Sequence, residues 1–233
     1  MDKKEITQNQ IRIFRNLFEQ HGNSPMGVSS ESLVHKRLRF SEILEFMDVS
    51  TNFSVHDVGM GLAQFHDFLE EKLNSIKFEY SGSEILEEYV NSCRERLPSR
   101  DFFHRNISES KNIGGGGWTG EVYDYVVLSG VFHQMRETPI TDWEIYLKSL
   151  LRNCFQMAKK GIVFNLVSPY VDFYQTGIYY ARLPKILDFI TEELSRFFSI
   201  RHNYALYEFT ICVYQKDYVK TKFHEPEFQK YFR

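Results

Sequence analysis

The chain has 233 residues and a formal net charge of −3, with 42% hydrophobic and 25% charged residues. These are the proportions of a globular protein that buries a sizeable core. Lysines and arginines are scattered among acids, which argues against the basic face of a nucleic-acid-binding protein. The longest apolar runs, near 125–128 and 161–167, are too short to cross a membrane, and the polar N-terminus predicts no signal peptide.

The three cysteines are spread widely along the chain, at Cys93, Cys154 and Cys212. They form no C-x-x-C pair and no zinc signature. An odd number of separated cysteines indicates free thiols in a reducing compartment. We therefore expect a cytoplasmic protein.

Short apolar strands and amphipathic helices alternate along most of the chain. Two helices come first, at 6–18 and 38–47. The later elements are, in chain order, a strand at 53–58, a helix at 62–73, a strand at 76–80, a helix at 84–96, strands at 101–104 and 123–128, a helix at 141–158, a strand at 161–167, a helix at 183–197, and strands at 199–203 and 207–214. Thr141 and Glu144 have the spacing of a capping box.

This alternation predicts parallel strands with crossover helices. We expect an α/β, Rossmann-like fold with a mostly parallel seven-stranded sheet, helices on both faces and a C-terminal antiparallel hairpin. A single domain is predicted, with a helical extension over 1–50, the core over 51–216 and a tail over 217–233. Four glycines at 114–117 indicate a flexible surface loop.

The residues His56–Ala63, HDVGMGLA, join the first strand of this alternation to the following helix. Glycines there allow a tight turn and the close approach of a ligand, and nucleotides bind outside the carboxyl ends of such strands. A dinucleotide fingerprint would need glycine at position 64, where Gln64 stands. Asp57, two residues before Gly59, gives the pattern D-x-G-x-G instead, which disfavours a nicotinamide oxidoreductase.

The D-x-G-x-G segment resembles the cofactor loop of the class I S-adenosylmethionine-dependent methyltransferases, and the resemblance covers most of the chain. Residues 80–85 are similar to the end of that family's second strand, and 123–132 to its fourth-strand motif, which lines the methyl-donor pocket. Residues 201–210, the His21-Gly22-x-Ser24-Pro25 loop and Arg39-Phe40 resemble a bacterial subgroup of the family that acts on small molecules.

The resemblance implies S-adenosyl-L-methionine as the cofactor. Gly59 and Gly61 would let its methionine part pass over the turn, and Asp57 would act through water or the amino group. Glu84 would bind both ribose hydroxyls, or would be a first-turn helix acid. Arg39 would bind the cofactor carboxylate, or would be a surface residue.

Further implied cofactor contacts follow the second, third and fourth strands of the core. They are Ile85, Asn106, Ile107, Ser129 and Gly130. The family usually has an aspartate near the adenine where this chain has Asn106, whose amide can still donate to or accept from a base edge. Metal-dependent relatives need several carboxylates where this chain has Ser129-Gly130, so we expect no metal.

Methyl transfer is an in-line displacement in which the protein mainly aligns the reactants. His133 follows the fourth-strand motif and is the candidate base or substrate-positioning residue, since imidazole titrates near neutrality. The alternative is a loop histidine without a role. Tyr170, Asp172 and His21 are candidate substrate contacts, and His21 could instead be structural.

The leading hypothesis is a metal-independent methyltransferase acting on a hydroxyl or amine of a small molecule. Two alternatives are a methyltransferase of tRNA or protein, and a non-catalytic, cofactor-binding member that acts as an interaction protein. The aromatic segment 170–180 could form a lid, pack on the N-terminal helices, or form a contact of a homodimer. We expect no nucleic-acid and no membrane partner.

Overall fold

A seven-stranded sheet in the order β3-β2-β1-β4-β5-β7-β6 forms the centre of the chain. The computed structural model describes residues 1–22, 24–28, 32–74, 76–109 and 120–232. The strands are β1 (Phe53–Val58), β2 (Phe78–Glu84), β3 (Asp101–His104), β4 (Tyr123–Leu128), β5 (Ala158–Val167), β6 (Phe198–Arg201) and β7 (Glu208–Tyr214). The first five run parallel, and β7 lies antiparallel between β5 and β6. The predicted fold class is confirmed.

Helices cover both faces of this sheet. They are α1 (Lys3–His21), α2 (Leu33–Leu44), α3 (Gln64–Lys72), α4 (Glu87–Arg96), α5 (Ile140–Met157), α6 (Leu183–Phe189) and α7 (Lys216–Lys222). Short 3₁₀ turns occupy Pro25–Val28 and Pro226–Phe232, and a π-turn at Ile190–Leu194 extends α6. Among the described residues, none of the helices has the length and apolarity needed to cross a membrane.

The residues of β4 divide the core into two layers, because side chains alternate across a strand. Val126 and Leu128 pack with α5 and α6 in one cluster. Tyr125 and Val127 pack with α2, α3 and α4 in the other. Such double-sided burial explains the continuous apolar run that made this strand visible in the sequence.

Strand β2 lies further along the chain than its apolar pattern predicted. The alternation ends at Tyr80, yet the strand continues to Glu84 and α4 begins only at Glu87. Ser81 and Ser83 occupy buried positions because both ring nitrogens of His56 on β1 bond to them. His56 Nδ1 is 2.7 Å from Ser81 Oγ, and His56 Nε2 is 2.8 Å from Ser83 Oγ. A polar pair in the core therefore hid the second half of the strand.

Several predicted helix boundaries differ from the structure, and three of the differences have a local cause or a change of helix geometry. Helix α5 begins at Ile140 after Pro139, so Thr141 lies inside the first turn and makes no cap. Helix α2 begins earlier than predicted, because the side chain of Ser32 accepts a bond from the backbone N–H of His35 at 3.3 Å. Helix α6 leaves α-geometry after Phe189. The glycine run at 114–117 lies outside the described residues.

Candidate active site

A cavity of about 950 Å³ lies where β1, β2, β4 and β5 end and β7 begins. This is the edge at which open α/β sheets bind ligands. Its volume is near the upper end for ligand pockets, so it has room for a nucleoside-sized cofactor together with a second small molecule. The residues predicted for cofactor binding and catalysis all line it: Arg39, Asp57, Gly59, Gly61, Glu84, Ile85, Asn106, Ile107, Ser129, Gly130 and His133.

The turn after β1 requires its glycines. Gly59 has φ of +71° and Gly61 has φ of +53°, a region that residues with a Cβ rarely adopt. A Cβ on Gly59 would lie 2.7 Å from Cγ2 of Val131. The turn therefore leaves a bare backbone surface facing the cavity.

Glu84 is the last residue of β2, which excludes the alternative that it is a first-turn helix acid. Its carboxylate accepts backbone N–H bonds from Gly61 at 3.0 Å, Ile85 at 2.7 Å and Leu86 at 3.3 Å. Burial nevertheless raises the pKa of Glu84 above its ordinary value. A carboxylate has about four acceptor positions, so Glu84 can still accept a hydroxyl donor from the cavity.

Asp57 is buried on β1 beside the glycine turn. Its Oδ2 accepts a bond from Tyr80 Oη at 2.7 Å. Burial raises the pKa of Asp57 to about 7, with Glu84 adding to the rise, while Tyr80 and Lys36 oppose it. Ionisation of this carboxylate therefore costs free energy unless a cation binds beside it in the cavity.

The side-chain amide of Asn106 is hydrogen-bonded to other residues of the protein. Its Nδ2 donates to Thr7 Oγ1 on α1 at 2.9 Å and to Glu109 Oε1 at 3.3 Å. Its Oδ1 accepts from the backbone N–H of Ser108 at 3.0 Å. These bonds fix the loop after β3 against the N-terminal helix, and the predicted adenine contact of Asn106 remains a prediction.

His133 lies in a buried polar cluster with Asn165 of β5 and Glu208 of β7. Asn165 Oδ1 accepts the backbone N–H of Gly130 at 2.7 Å, while Nδ2 donates to Glu208 Oε2 at 2.5 Å and to His133 Nε2 at 3.2 Å. The backbone donor on one side and the carboxylate on the other determine which amide atom is which. His133 Nε2 is therefore an acceptor, and its proton is on Nδ1.

The Nδ1 edge of His133 lies beside Gly130, 3.9 Å from where a Cβ of that glycine would be. Burial lowers the pKa of His133 to about 4, against the opposing effect of Glu208. The ring is neutral near pH 7 and can donate one hydrogen bond from Nδ1.

Arg39 lies on α2 and is bound to Glu208. Arg39 Nε is 2.8 Å from both carboxylate oxygens, and a terminal nitrogen is 2.5 Å from Oε1. The Arg39 side chain is 21% exposed and lines the cavity, so the surface alternative is wrong. Its charge is balanced by a buried carboxylate more than 160 residues away, a pairing that no local pattern in the sequence could reveal.

The predicted substrate contacts lie outside the cavity lining. Tyr170 is 74% exposed, and Asp172 is an exposed residue that accepts a bond from Tyr207 Oη. His21 is the last residue of α1. The cavity is instead lined, on the side of β5 and β7, by residues of the two loops around them: Val171, Phe173, Gln175, Ile178, Tyr180, His202, Tyr204 and Tyr207.

Sequence reasoning also missed lining residues on the two N-terminal helices. These are Gln10 and Phe14 of α1 and His35 and Lys36 of α2. Lys36 precedes Arg39 by three residues, so their common helix face was a usable signal. In the part of the chain that the structure describes, no three His, Cys, Asp or Glu side chains are grouped to hold a metal ion.

Comparisons with known proteins agree with this geometry. No protein-family model matches the chain. Over 172 residues, 73% of this chain and 98% of the relative, it is 26% identical to the protein named "Putative methyltransferase Rv1506c" of Mycobacterium tuberculosis.

Two solved structures share the fold. Magnesium protoporphyrin IX methyltransferase from Synechocystis, solved with bound S-adenosylhomocysteine, is 14% identical, with a TM-score of 0.58 over 91% of this chain and 98% of that one. Phosphoethanolamine N-methyltransferase 1 of Haemonchus contortus is 12% identical, with a TM-score of 0.57 over 90% of this chain and 49% of that one. The chain therefore has the fold of S-adenosylmethionine-dependent methyltransferases and is similar in sequence to a putative methyltransferase, which is consistent with the predicted class I family.

Proposed function

We propose that the chain transfers the methyl group of S-adenosylmethionine to a small-molecule acceptor without a metal ion. The observation that carries the proposal is one cavity with two chemically different ends. The glycine turn, Asp57 and Glu84 form one end. His133 and the aromatic loops form the other.

The first end fits the cofactor, which supplies an electrophilic methyl group on a sulfonium when bound. The bare turn at Gly59 and Gly61 admits a chain close to the backbone. Glu84 accepts a ribose hydroxyl at its remaining acceptor position, and Asp57 accepts the cationic amino group, which offsets the cost of ionising a buried carboxylate. These roles are those that the family resemblance implies.

At the other end, His133 orients the acceptor. For an oxygen acceptor, its Nδ1–H donates to that oxygen, so that a second lone pair of the oxygen points along the methyl–sulfur axis. The C–S bond breaks as the O–C bond forms, and a hydroxyl acceptor loses its proton to solvent. Asn165 and Glu208 hold the ring in this tautomer. Since Nε2 is already an acceptor of the Asn165 bond, His133 acts as a positioning donor and not as a general base.

The size and the aromatic lining of the cavity favour a small acceptor over a macromolecule. Gln10 and Phe14 of α1 line one side of it, and Phe173, Tyr180 and Tyr204 line another. The two named solved neighbours act, by their names, on magnesium protoporphyrin IX and on phosphoethanolamine. Both are small molecules, which supports the same class of acceptor for this chain. The three buried, unpaired cysteines support a reducing, cytoplasmic location.

The proposal is tested by incubating the protein with S-adenosylmethionine and a panel of small hydroxyl, carboxylate and amine acceptors, with and without EDTA. We expect acceptor-dependent formation of S-adenosylhomocysteine that EDTA does not change. His133→Phe should raise the KM for the acceptor at least tenfold and leave the affinity for S-adenosylhomocysteine within about threefold. Turnover only with tRNA or protein acceptors, or only with added metal, would contradict the proposal.

A further inference from the structure

The cavity contains a cation that has no counter-ion among the described residues. Lys36 lies on α2 and lines the cavity, half-buried. Its Nζ donates to the side-chain amide oxygen of Gln64, at the start of α3 just beyond the glycine turn. No carboxylate of a described residue is within ion-pair distance of it.

The other cation of this helix face, Arg39, already has a carboxylate partner. Arg39 is bound through two of its nitrogens to Glu208. A guanidinium held this way has its charge balanced by the carboxylate. Lys36 has only a neutral amide as partner, so two of its three N–H donors remain for a ligand.

The surroundings of Lys36 destabilise its charged form. Burial lowers the pKa of Lys36 to about 8, and Arg39 contributes in the same direction while Asp57 opposes it. An isolated ammonium in a desolvated site is stabilised by an anion that binds beside it. Gln64, the partner of Lys36, begins α3, three residues after Gly61 of the glycine turn.

We propose that Lys36, and not Arg39, binds the carboxylate of the methionine part of the cofactor. The inference rests on the proposed cofactor. Asp57 and Lys36, which line the same cavity, then recognise the amino and carboxylate groups of one zwitterion. This recognition confers selectivity for the complete amino-acid tail over nucleosides that lack it.

The test compares S-adenosylhomocysteine with 5′-methylthioadenosine, which has the nucleoside and sulfur but no amino-acid tail. Dissociation constants are measured by titration calorimetry at pH 7 for the wild type, Lys36→Met and Lys36→Arg. The control is Arg37→Met, which removes a charge from the same helix at a residue paired with Glu71 on the surface.

We expect Lys36→Met to weaken S-adenosylhomocysteine binding tenfold or more and to leave methylthioadenosine binding within threefold. Lys36→Arg should restore most of the loss, and Arg37→Met should bind both ligands as the wild type does. Equal loss for both ligands, or no loss for either, would overturn the assignment of Lys36. Failure of the wild type itself to bind S-adenosylhomocysteine would instead overturn the proposed function, and the inference with it.

Discussion

Two glycines with positive φ separate folding from ligand binding at the level of single residues. Gly61 has φ of +53° in the cofactor turn, and Gly22 has φ of +56° with ψ of −145° at the end of α1. A Cβ on Gly22 would meet no atom within 4 Å. A non-glycine residue at a positive φ costs about 1–3 kcal/mol, and the φ and ψ of Gly22 lie near a region essentially restricted to glycine.

We expect Gly61→Ala and Gly22→Ala each to lower the free energy of unfolding, by about 1 kcal/mol or more. Only Gly61→Ala should weaken S-adenosylhomocysteine, by tenfold or more, because its methyl group would enter the bare surface of the turn. Urea denaturation and calorimetry measure the two effects. Equal binding by both variants would show that the turn does not contact the ligand.

The site residues that sequence reasoning found are those within one local motif. Asp57, Gly59 and Gly61 stand together in a strand-to-helix turn, so their spacing was sufficient. Asn165 and Glu208 were missed because their importance arises from burial and from pairing with His133 and Arg39, which are distant along the chain. Neither burial nor such pairing is visible in one sequence.

At the level of elements, strand prediction was accurate for three of the strands. The bounds of β1, β3 and β4 agree with the predicted ones, and at β4 the continuous apolar run of Tyr125–Leu128 accounts for the agreement. The second half of β2 was missed because serines satisfied by a buried histidine have no apolar signal. Helix starts were less accurate, because Pro139 and Ser32 determined them by local geometry.

Helix α1 is expected to respond to ligand binding, because Gln10 and Phe14 line the cavity. Gln10 also donates to the backbone oxygen of Gln134 at 2.9 Å, which connects α1 to the His133 loop. Saturating S-adenosylhomocysteine should slow hydrogen exchange in α1 as well as in the glycine turn. Helix α7, which contributes no residue to the lining, is the internal control. Slowed exchange confined to the glycine turn would exclude α1 as a wall of the occupied site.

For the molecule as a whole, the ionisation of buried Asp57 should lower the free energy of unfolding of the ligand-free protein as the pH rises. Folding raises the pKa of Asp57 from its ordinary value near 4 to about 7, chiefly through burial. The folded state therefore holds this proton more tightly than the unfolded state. The resulting stability is fully present below pH 4 and is lost as the pH rises to 7.

Asp57→Asn removes this ionisation while keeping an oxygen that can accept from Tyr80. We expect the ligand-free variant to be more stable than the wild type by about 2–4 kcal/mol at pH 8, with the difference shrinking toward pH 4. The same variant should bind S-adenosylhomocysteine more weakly, since it lacks the charge that accepts the amino group. Urea midpoints across this pH range provide the test. A loss of stability that is the same at every pH would show that Asp57 is not an ionised, destabilising group.

We expect the cavity at the end of β1 to bind S-adenosylmethionine and not a dinucleotide. Titration calorimetry of the wild type with S-adenosylhomocysteine, and with NAD as the control, distinguishes the two. We predict micromolar binding of S-adenosylhomocysteine and no detectable binding of NAD. Binding of NAD, or of neither ligand, would contradict it.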